Sequence, residues 1–168
     1  ELPSSVVFYQ KVMTTLSKVG LQGGGEEEVK LDEKIAELFE SLGKPLTDEQ
    51  LRIAVTAWHE PFGKQVHARD GVRPLLESLR ERGLRLGVVS NSSWPSWIIR
   101  DEIAAHGLEG LLDPVVVSSE IGIRKPHPSI FTAALEVAGG EAAETAFVGD
   151  RLKEDIAGAR FVGIRTGY

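Results

Sequence analysis

The last quarter of the chain places the tightest constraint on its fold, because two apolar runs there flank an acidic loop. Residues 145–148 predict a buried strand that ends at Gly149-Asp150, and residues 161–164 predict the next strand. Asp155 opens a helix of small residues between them. In open parallel α/β sheets, ligand-binding groups gather at such strand ends. The stretch therefore predicts two carboxylates at the carboxyl edge of a parallel sheet.

Asp150 and Asp155 together suit a magnesium ion. Mg²⁺ needs only one or two carboxylates and takes its other ligands from water and phosphate oxygens. The alternative is an exposed loop between a strand and a helix whose acidic residues are ordinary caps. The residues of this stretch alone leave both interpretations open.

Composition excludes several classes of function. The net charge of −6 argues against a nucleic-acid partner. The absence of cysteine excludes disulfides, zinc–thiolate sites and thiol nucleophiles. No apolar run reaches the length of a membrane span, and no signal peptide begins the chain. We therefore expect a soluble, cytoplasmic protein with no membrane partner, and no pattern indicates an oligomeric state.

The amino-terminal part, residues 1–68, predicts helices and no strand. Glu26–Glu28, after three glycines, indicates a flexible and solvated turn between the first two helices. Thr47-Asp-Glu-Gln50 is a capping box that opens the third helix. Each helix has one apolar stripe, so we expect a small bundle or a cap that lies on another unit. Ser4 and Ser5 are candidate N-caps of the first helix, the second helix ends near Gly43, and Pro61 and Gly63 end the third.

Residues 69–168 alternate helical patterns with short apolar runs. This alternation predicts an α/β fold with a parallel sheet covered by helices on both faces. Three of the predicted strand ends or crossovers carry polar groups, namely Ser90-Asn91, Lys125, and Asp150 with Asp155. Singly, these are common turn formers and loop residues. A hydroxyl, a fixed cation and a metal-binding carboxylate together are what phosphoryl transfer requires, since they orient the phosphoryl group and neutralise its charge.

Three segments, in this order and spacing, resemble the second, third and fourth motifs of the haloacid dehalogenase-like hydrolase superfamily. They are Val88-Val-Ser90-Asn91, Ser119-Glu-Ile-Gly-Ile-Arg-Lys125-Pro-His-Pro-Ser-Ile-Phe131, and Phe147-Val-Gly-Asp150-x₄-Asp155-Ile-Ala-Gly-Ala. The resemblance extends over roughly residues 70–168 and implies a Rossmann-like core. Residues 1–68 resemble the helical cap that this family inserts between its first and second motifs.

The resemblance implies a role for each candidate residue. Ser90 binds the transferred phosphoryl group, and Lys125 stabilises its charge. Asp150 holds Mg²⁺, while Asp155 is either a further metal ligand or the partner of Lys125. Asn91 is a secondary contact to the substrate through its amide.

The family's first motif, Asp-x-Asp-x-Thr at the end of an apolar strand, has no counterpart here. The nearest apolar run, residues 6–8, is followed by Tyr9, Gln10 and Lys11, with no carboxylate. That motif supplies the nucleophile, and its strand forms the middle of the family's sheet. Without it, two strand edges would have unpaired N–H and C=O groups. We therefore expect this chain to be part of a longer protein, and inactive by itself.

Our leading hypothesis is a Mg²⁺-dependent phosphatase of a small phosphorylated metabolite. A 2-haloacid dehalogenase is the alternative enzyme, with the same fold and no Mg²⁺. The spacing Gly149-Asp150-x₄-Asp155 favours the phosphatase, because a dehalogenase has little use for an acidic pair of metal-binding type. A non-catalytic binding protein on the same fold is the third hypothesis, which the missing nucleophile permits.

Overall fold

A computed structural model describes residue 14 and residues 25–168, so the first predicted helix, apart from Thr14, lies outside the described residues. None of the described helices combines the length and apolar character needed to cross a membrane. The helices are α1 (Leu31–Ser41), α2 (Asp48–Gly63), α3 (Val72–Glu81), α4 (Ser96–Ala105), α5 (Ser118–Ile121), α6 (Pro128–Ala138) and α7 (Gly158–Phe161). The strands are β1 (Val88–Ser90), β2 (Val115–Val117), β3 (Ala146–Val148) and β4 (Arg165–Gly167), with a 3₁₀ turn at Ala142–Glu144 and a π-helical turn at Leu152–Ala157.

Helices α1 and α2 are held together by their apolar stripes. The predicted capping box begins α2, since the Thr47 hydroxyl accepts from the Gln50 amide and the Gln50 side chain accepts from the Thr47 amide. Apolar side chains of α1, α2 and α4 form one buried cluster. Since α4 follows β1, the helical part packs directly on the α/β part. The buried members of this cluster are Leu31, Ile35, Val55 and Ile98 of α4.

The four strands form two parallel pairs among the described residues, rather than one continuous sheet. β1 pairs with β2 from Val88↔Val115 onward, and β3 pairs with β4 from Ala146↔Arg165 onward. Helix α6 connects the two pairs, because its buried residues form one core with residues from β2 and from the α7–β4 region. The buried members of that core are Val116, Ile130, Phe131, Ala159 and Ile164. Parallel strands joined through helices confirm the predicted α/β class.

The prediction of a buried strand at residues 145–148 was wrong about burial. Phe147 packs edge-on against Phe131 of α6, with ring centroids 5.3 Å apart. Alternate side chains of a strand point to opposite faces, and the opposite face of β3 is open, so that Val148 is 77% exposed. The prediction of a strand at residues 161–164 was also wrong. Helix α7 continues through Phe161, and β4 begins only at Arg165.

The turn at Glu26–Glu28 is more ordered than its sequence indicates. Glu27 forms an antiparallel backbone bridge with Ile123, and the Glu28 amide donates to the Gly122 carbonyl at 2.9 Å. Glu26 and Glu27 are exposed, as predicted for a solvated turn. Glu28 is buried, which corrects that prediction, because its carboxylate has hydrogen-bonding and charged partners inside the protein.

Candidate active site

Lys125 lies between the two strand pairs. Its Nζ donates to the Val89 carbonyl of β1 at 2.8 Å and lies 5.3 Å from the ring centroid of Phe147 in β3. Nζ is also 2.7 Å from Oδ1 of Asp155, and the Lys125 side chain is only 11% exposed. An ammonium has three N–H donors. Within residues 25–168 these two oxygens are its polar partners, so one donor remains for a ligand.

Asp155 is the buried counter-ion of this lysine. Its side chain is 5% exposed, and Oδ2 accepts from the Arg151 amide at 3.1 Å. Oδ1 receives no well-aligned hydrogen bond from the described residues, so its contact with Nζ is an ion pair. Opposite charges attract each other more strongly in a buried site than in water, because the effective dielectric constant is lower there. The structure thus brings Lys125 and Asp155 together, and Asp155 has the geometry of the lysine partner, one of its two predicted roles.

Two glycines of the segment from Phe147 to Ala159 leave the space in which Asp155 and the segment after Lys125 pack closely. A Cβ on Gly149 would lie 2.5 Å from the Cβ, Cγ and Oδ2 atoms of Asp155. A Cβ on Gly158 would lie 2.7 Å from the Phe131 ring and 2.9 Å from the backbone of Pro126, the residue after Lys125. Because Pro126 contributes backbone atoms here, it cannot move aside without moving Lys125. The spacing of glycines around Asp155 is therefore dictated by packing.

Gly158→Ala tests this packing requirement, and we expect it to lower the free energy of unfolding by about 1–3 kcal/mol, the usual cost of overpacking. Gly158 has φ −62° and ψ −48°, which suit alanine, so only the steric overlap opposes the change. Gly140→Ala is the matched control, since its Cβ would meet only the Thr145 hydroxyl at 3.6 Å. Urea unfolding of both variants is the measurement. Equal stability of Gly158→Ala and wild type would contradict the contact.

Asn91 follows β1 and holds the backbone of Lys125 at two points. Its Oδ1 accepts from the Lys125 amide at 2.7 Å, and its Nδ2 donates to the Lys125 carbonyl at 2.9 Å. The predicted contact between the Asn91 amide and a substrate therefore competes with a structural role. Ser90 ends β1 beside Val89, and no hydrogen bond of its hydroxyl is found within the described part of the chain.

Asp150 follows β3 and is exposed. Residues 25–168 give its carboxylate no hydrogen bond or ion pair, and they contain no cluster of three or more acidic or histidine side chains able to hold a metal. Mg²⁺ takes only one or two protein carboxylates and completes its shell with water and phosphate oxygens. Asp150 follows a strand end and offers an exposed carboxylate, so the chemistry of this donor fits such an ion with Asp150 as the protein ligand.

One contributor to this site carries no signal in the sequence. The Val89 carbonyl fixes the Lys125 ammonium, but a backbone oxygen within an apolar run looks like any other. The role of the Val89 carbonyl could be inferred only from the three-dimensional contact between the Lys125 side chain and β1. Residue-type patterns therefore predicted charged candidates for the site, and they gave no indication of the backbone atom that contacts one of them.

Known proteins share both sequence and fold with this chain. The family model described as haloacid dehalogenase-like hydrolase matches residues 12–163. A glyceraldehyde 3-phosphate phosphatase of Pyrococcus abyssi is 35% identical over 130 residues, which are 77% of this chain and 53% of that protein. This chain spans about half the length of the first such relatives.

Two solved structures share the fold. A HAD phosphatase from Thermococcus onnurineus superposes with a TM-score of 0.62 at 26% identity, covering 92% of this chain and 65% of that one. A 2-haloacid dehalogenase from Pseudomonas syringae pv. Tomato superposes with a TM-score of 0.58 at 29% identity, covering 80% and 56%.

Proposed function

Because this chain belongs to the haloacid dehalogenase-like hydrolase family, we propose that the whole protein is a Mg²⁺-dependent phosphatase of a small phosphorylated metabolite. The observation that carries the proposal is the buried Lys125–Asp155 pair. The exposed carboxylate of Asp150, just beyond the end of β3, adds a candidate metal ligand. Such an arrangement offers a fixed cation and a metal ligand to one anionic group. The name of the Pyrococcus abyssi relative supports a phosphate ester as the substrate.

In this proposal each residue of the site has one task. Lys125 directs its remaining N–H to a phosphoryl oxygen, and the Val89 carbonyl and Asp155 hold its ammonium in place. Ser90 donates its hydroxyl to a second phosphoryl oxygen. Asp150 holds Mg²⁺, which would neutralise charge on the phosphoryl group. Asn91 fixes the Lys125 backbone, so that the lysine is oriented before the substrate binds.

The nucleophile is the part of the proposed mechanism that this sequence does not supply. The chain has no Asp-x-Asp-x-Thr segment, and in the described part of the chain β1 and β3 are not paired with each other. We propose that in the whole protein a further strand, which ends in the nucleophilic carboxylate, lies between them. Both strands have a polar group at or just beyond their ends, Ser90 and Asp150, which supports that placement.

Two further parts of the proposal concern substrate choice and location. Residues 1–68 act as a cap, and residues 69–168 form the core. The packing of α1 and α2 on α4 supports a cap that lies on the helix after β1. The size of the substrate is then set by the cap. We propose the cytoplasm as the location of the protein, and this part of the proposal is based on the sequence composition alone.

The test compares the whole protein with the 168-residue chain. We expect the whole protein to release phosphate from glyceraldehyde 3-phosphate and from an aryl phosphate only when Mg²⁺ is present. The 168-residue chain alone is expected to show no turnover, because it lacks the nucleophile. Turnover by the chain that survives repurification and disappears in Asp150→Asn would place the nucleophile within these residues.

The dehalogenase alternative is tested with the same preparation. The likeness to the Pseudomonas syringae structure makes 2-chloropropionate a suitable second substrate. Chloride release without added metal, and no phosphate release, would replace the phosphatase proposal. Binding of phosphate without turnover by the whole protein would favour the non-catalytic binding protein.

A further inference from the structure

Glu28 is a buried carboxylate that the proposed chemistry does not use. Its side chain has 0% exposure, although Glu26 and Glu27 just before it are exposed. Burial of a carboxylate is costly unless its oxygens have hydrogen-bonding or charged partners. The partners of Glu28 therefore show what its position secures.

Every partner of Glu28 but one comes from a distant part of the chain. Oε1 accepts from the Ser93 hydroxyl at 2.9 Å and from the adjacent Val29 amide at 3.0 Å. The same oxygen lies 3.3 Å from the Arg124 guanidinium. Oε2 accepts from the Ser118 hydroxyl at 2.5 Å. One carboxylate thus joins the loop after β1, the start of α5 and the segment before Lys125.

Ser118 connects Glu28 to the loop after β1 through two hydrogen bonds. A serine hydroxyl has a single proton, and Ser118 directs it towards Glu28. Its oxygen is then free to accept from the Ser92 amide, which lies 2.8 Å away. Ser118 is completely buried, so no solvent competes for these bonds. Ser92 and Ser93 follow Ser90-Asn91 directly, and both are therefore fixed by one carboxylate.

Glu28 also fixes the segment that carries Lys125. The Arg124 guanidinium pairs with Glu28, and the Arg124 amide donates to the Glu26 carbonyl at 2.8 Å. Asn91 then joins the Lys125 backbone to the loop after β1. The first helix is attached at the same place, since the Leu31 amide donates to the Ser93 carbonyl at 3.0 Å.

We propose that Glu28 is a positioning residue, which orients the phosphate-binding loop, residues 90–93, against Lys125. This inference rests on the proposed function, because it assumes that the loop and Lys125 bind a phosphoryl group. The ionised carboxylate is essential to the arrangement. All its partners are donors, and a neutral amide at the same place would turn its own N–H groups towards one or more of them.

Glu28→Gln in the whole protein is the direct test, with Glu27→Gln as the matched control on the exposed neighbouring side chain. Binding of inorganic phosphate in the presence of Mg²⁺ is measured by calorimetry, and KM and kcat by steady-state kinetics. We expect Glu28→Gln to raise both the phosphate Kd and KM about tenfold, the effect of losing roughly one charge-assisted hydrogen bond. kcat should change less, and Glu27→Gln should match wild type.

Hydrogen exchange of the Ser92 amide supplies a readout that does not depend on activity. We expect faster exchange in Glu28→Gln and in Ser118→Ala, a second variant that removes this connection and keeps the Glu28–Arg124 pair. Ser118→Ala should also raise the phosphate Kd and KM, and its result decides the question if Glu28→Gln does not fold.

Two outcomes would overturn the positioning role of Glu28 and leave the proposed function intact. One is an unchanged phosphate Kd in the folded variants, while the wild type binds phosphate. The other is a fall in kcat at constant KM, which indicates only a smaller folded fraction. A wild-type whole protein that neither binds nor hydrolyses phosphate compounds would instead overturn the proposed function, and this inference with it.

Discussion

Lys125→Ala in the whole protein is expected to lower kcat by about 10²–10³-fold, the usual effect of removing one preorganised contact to transition-state charge. The Lys125 side chain is 11% exposed and is paired with the Asp155 side chain, which is 5% exposed, so the charge of the ammonium acts in a poorly solvated site. A solvated loop lysine would instead be worth under about 1 kcal/mol. Steady-state kinetics in saturating Mg²⁺ is the measurement.

Lys125→Arg should not restore the rate. The ammonium is a compact donor that reaches the Val89 carbonyl and Asp155 from one point. A guanidinium is a larger planar fork, which needs a different arrangement of acceptors. Lys153→Ala is the control, since Lys153 is exposed on the turn that carries Asp155. If Lys125→Ala and Lys125→Arg both fold and keep kcat within about threefold of wild type, a barrier change under about 1 kcal/mol, Lys125 is not part of the site.

A loss of rate must be separated from a loss of stability. Removing Lys125 leaves Asp155 as a buried charge without its counter-ion, and breaking such a pair typically costs about 3–5 kcal/mol. The double variant Lys125→Met/Asp155→Asn removes both charges at once. We expect thermal melts of the double variant to recover most of the stability lost in Lys125→Met, while kcat stays low. Recovery of kcat together with stability would make the pair structural.

The sequence predicted the fold class because the signals for it are local. Helical patterns alternate with short apolar runs along residues 69–168, and Thr47 with Gln50 forms the capping box that begins α2. The sequence also allowed the charged candidates to be predicted, since lysine and aspartate together at successive strand ends form an unusual pattern. Lys125 and Asp155 lie 30 residues apart in the chain, and the structure brings them to 2.7 Å.

What the sequence did not predict depends on contacts between distant segments. Val148 is apolar and was expected to be buried, but no helix or strand covers its face of β3 in the described part of the molecule. Glu28 follows glycines and acidic residues, a composition typical of solvated turns, and its burial depends on Ser93, Ser118 and Arg124. The sequence gives no sign that these partners, 65 to 96 residues away, converge on one carboxylate.

Asp150→Asn is expected to have the second large effect, a loss of at least about 10² in kcat/KM at fixed Mg²⁺ concentration, as for other losses of preorganised charge stabilisation. The substitution keeps the size of the side chain and removes the negative charge that a hard cation requires. The metal neutralises charge during transfer, so weaker binding of Mg²⁺ lowers the rate. Glu141→Gln is the control, because Glu141 is exposed and lies before β3, at the end of the strand opposite Asp150.

Calorimetric titration with Mg²⁺ gives a readout of this prediction that is independent of turnover. We expect Asp150→Asn to weaken Mg²⁺ binding strongly, while Glu141→Gln leaves the Mg²⁺ Kd unchanged. Equal affinity in wild type and Asp150→Asn would remove Asp150 from the metal site, whatever the effect on rate.

The same titration separates the two roles open to Asp155. Its Oδ1 is 2.7 Å from the Lys125 ammonium and its Oδ2 accepts from the Arg151 amide, whereas Asp150 is exposed and has neither kind of partner among residues 25–168. If Asp155 serves the lysine, Asp155→Asn should lower kcat through a misplaced ammonium and leave the Mg²⁺ Kd within about twofold of wild type, a difference under about 0.5 kcal/mol. If Asp155 is a metal ligand, Asp155→Asn and Asp150→Asn should weaken Mg²⁺ binding to a similar extent. The buried ion pair leads us to expect the first result.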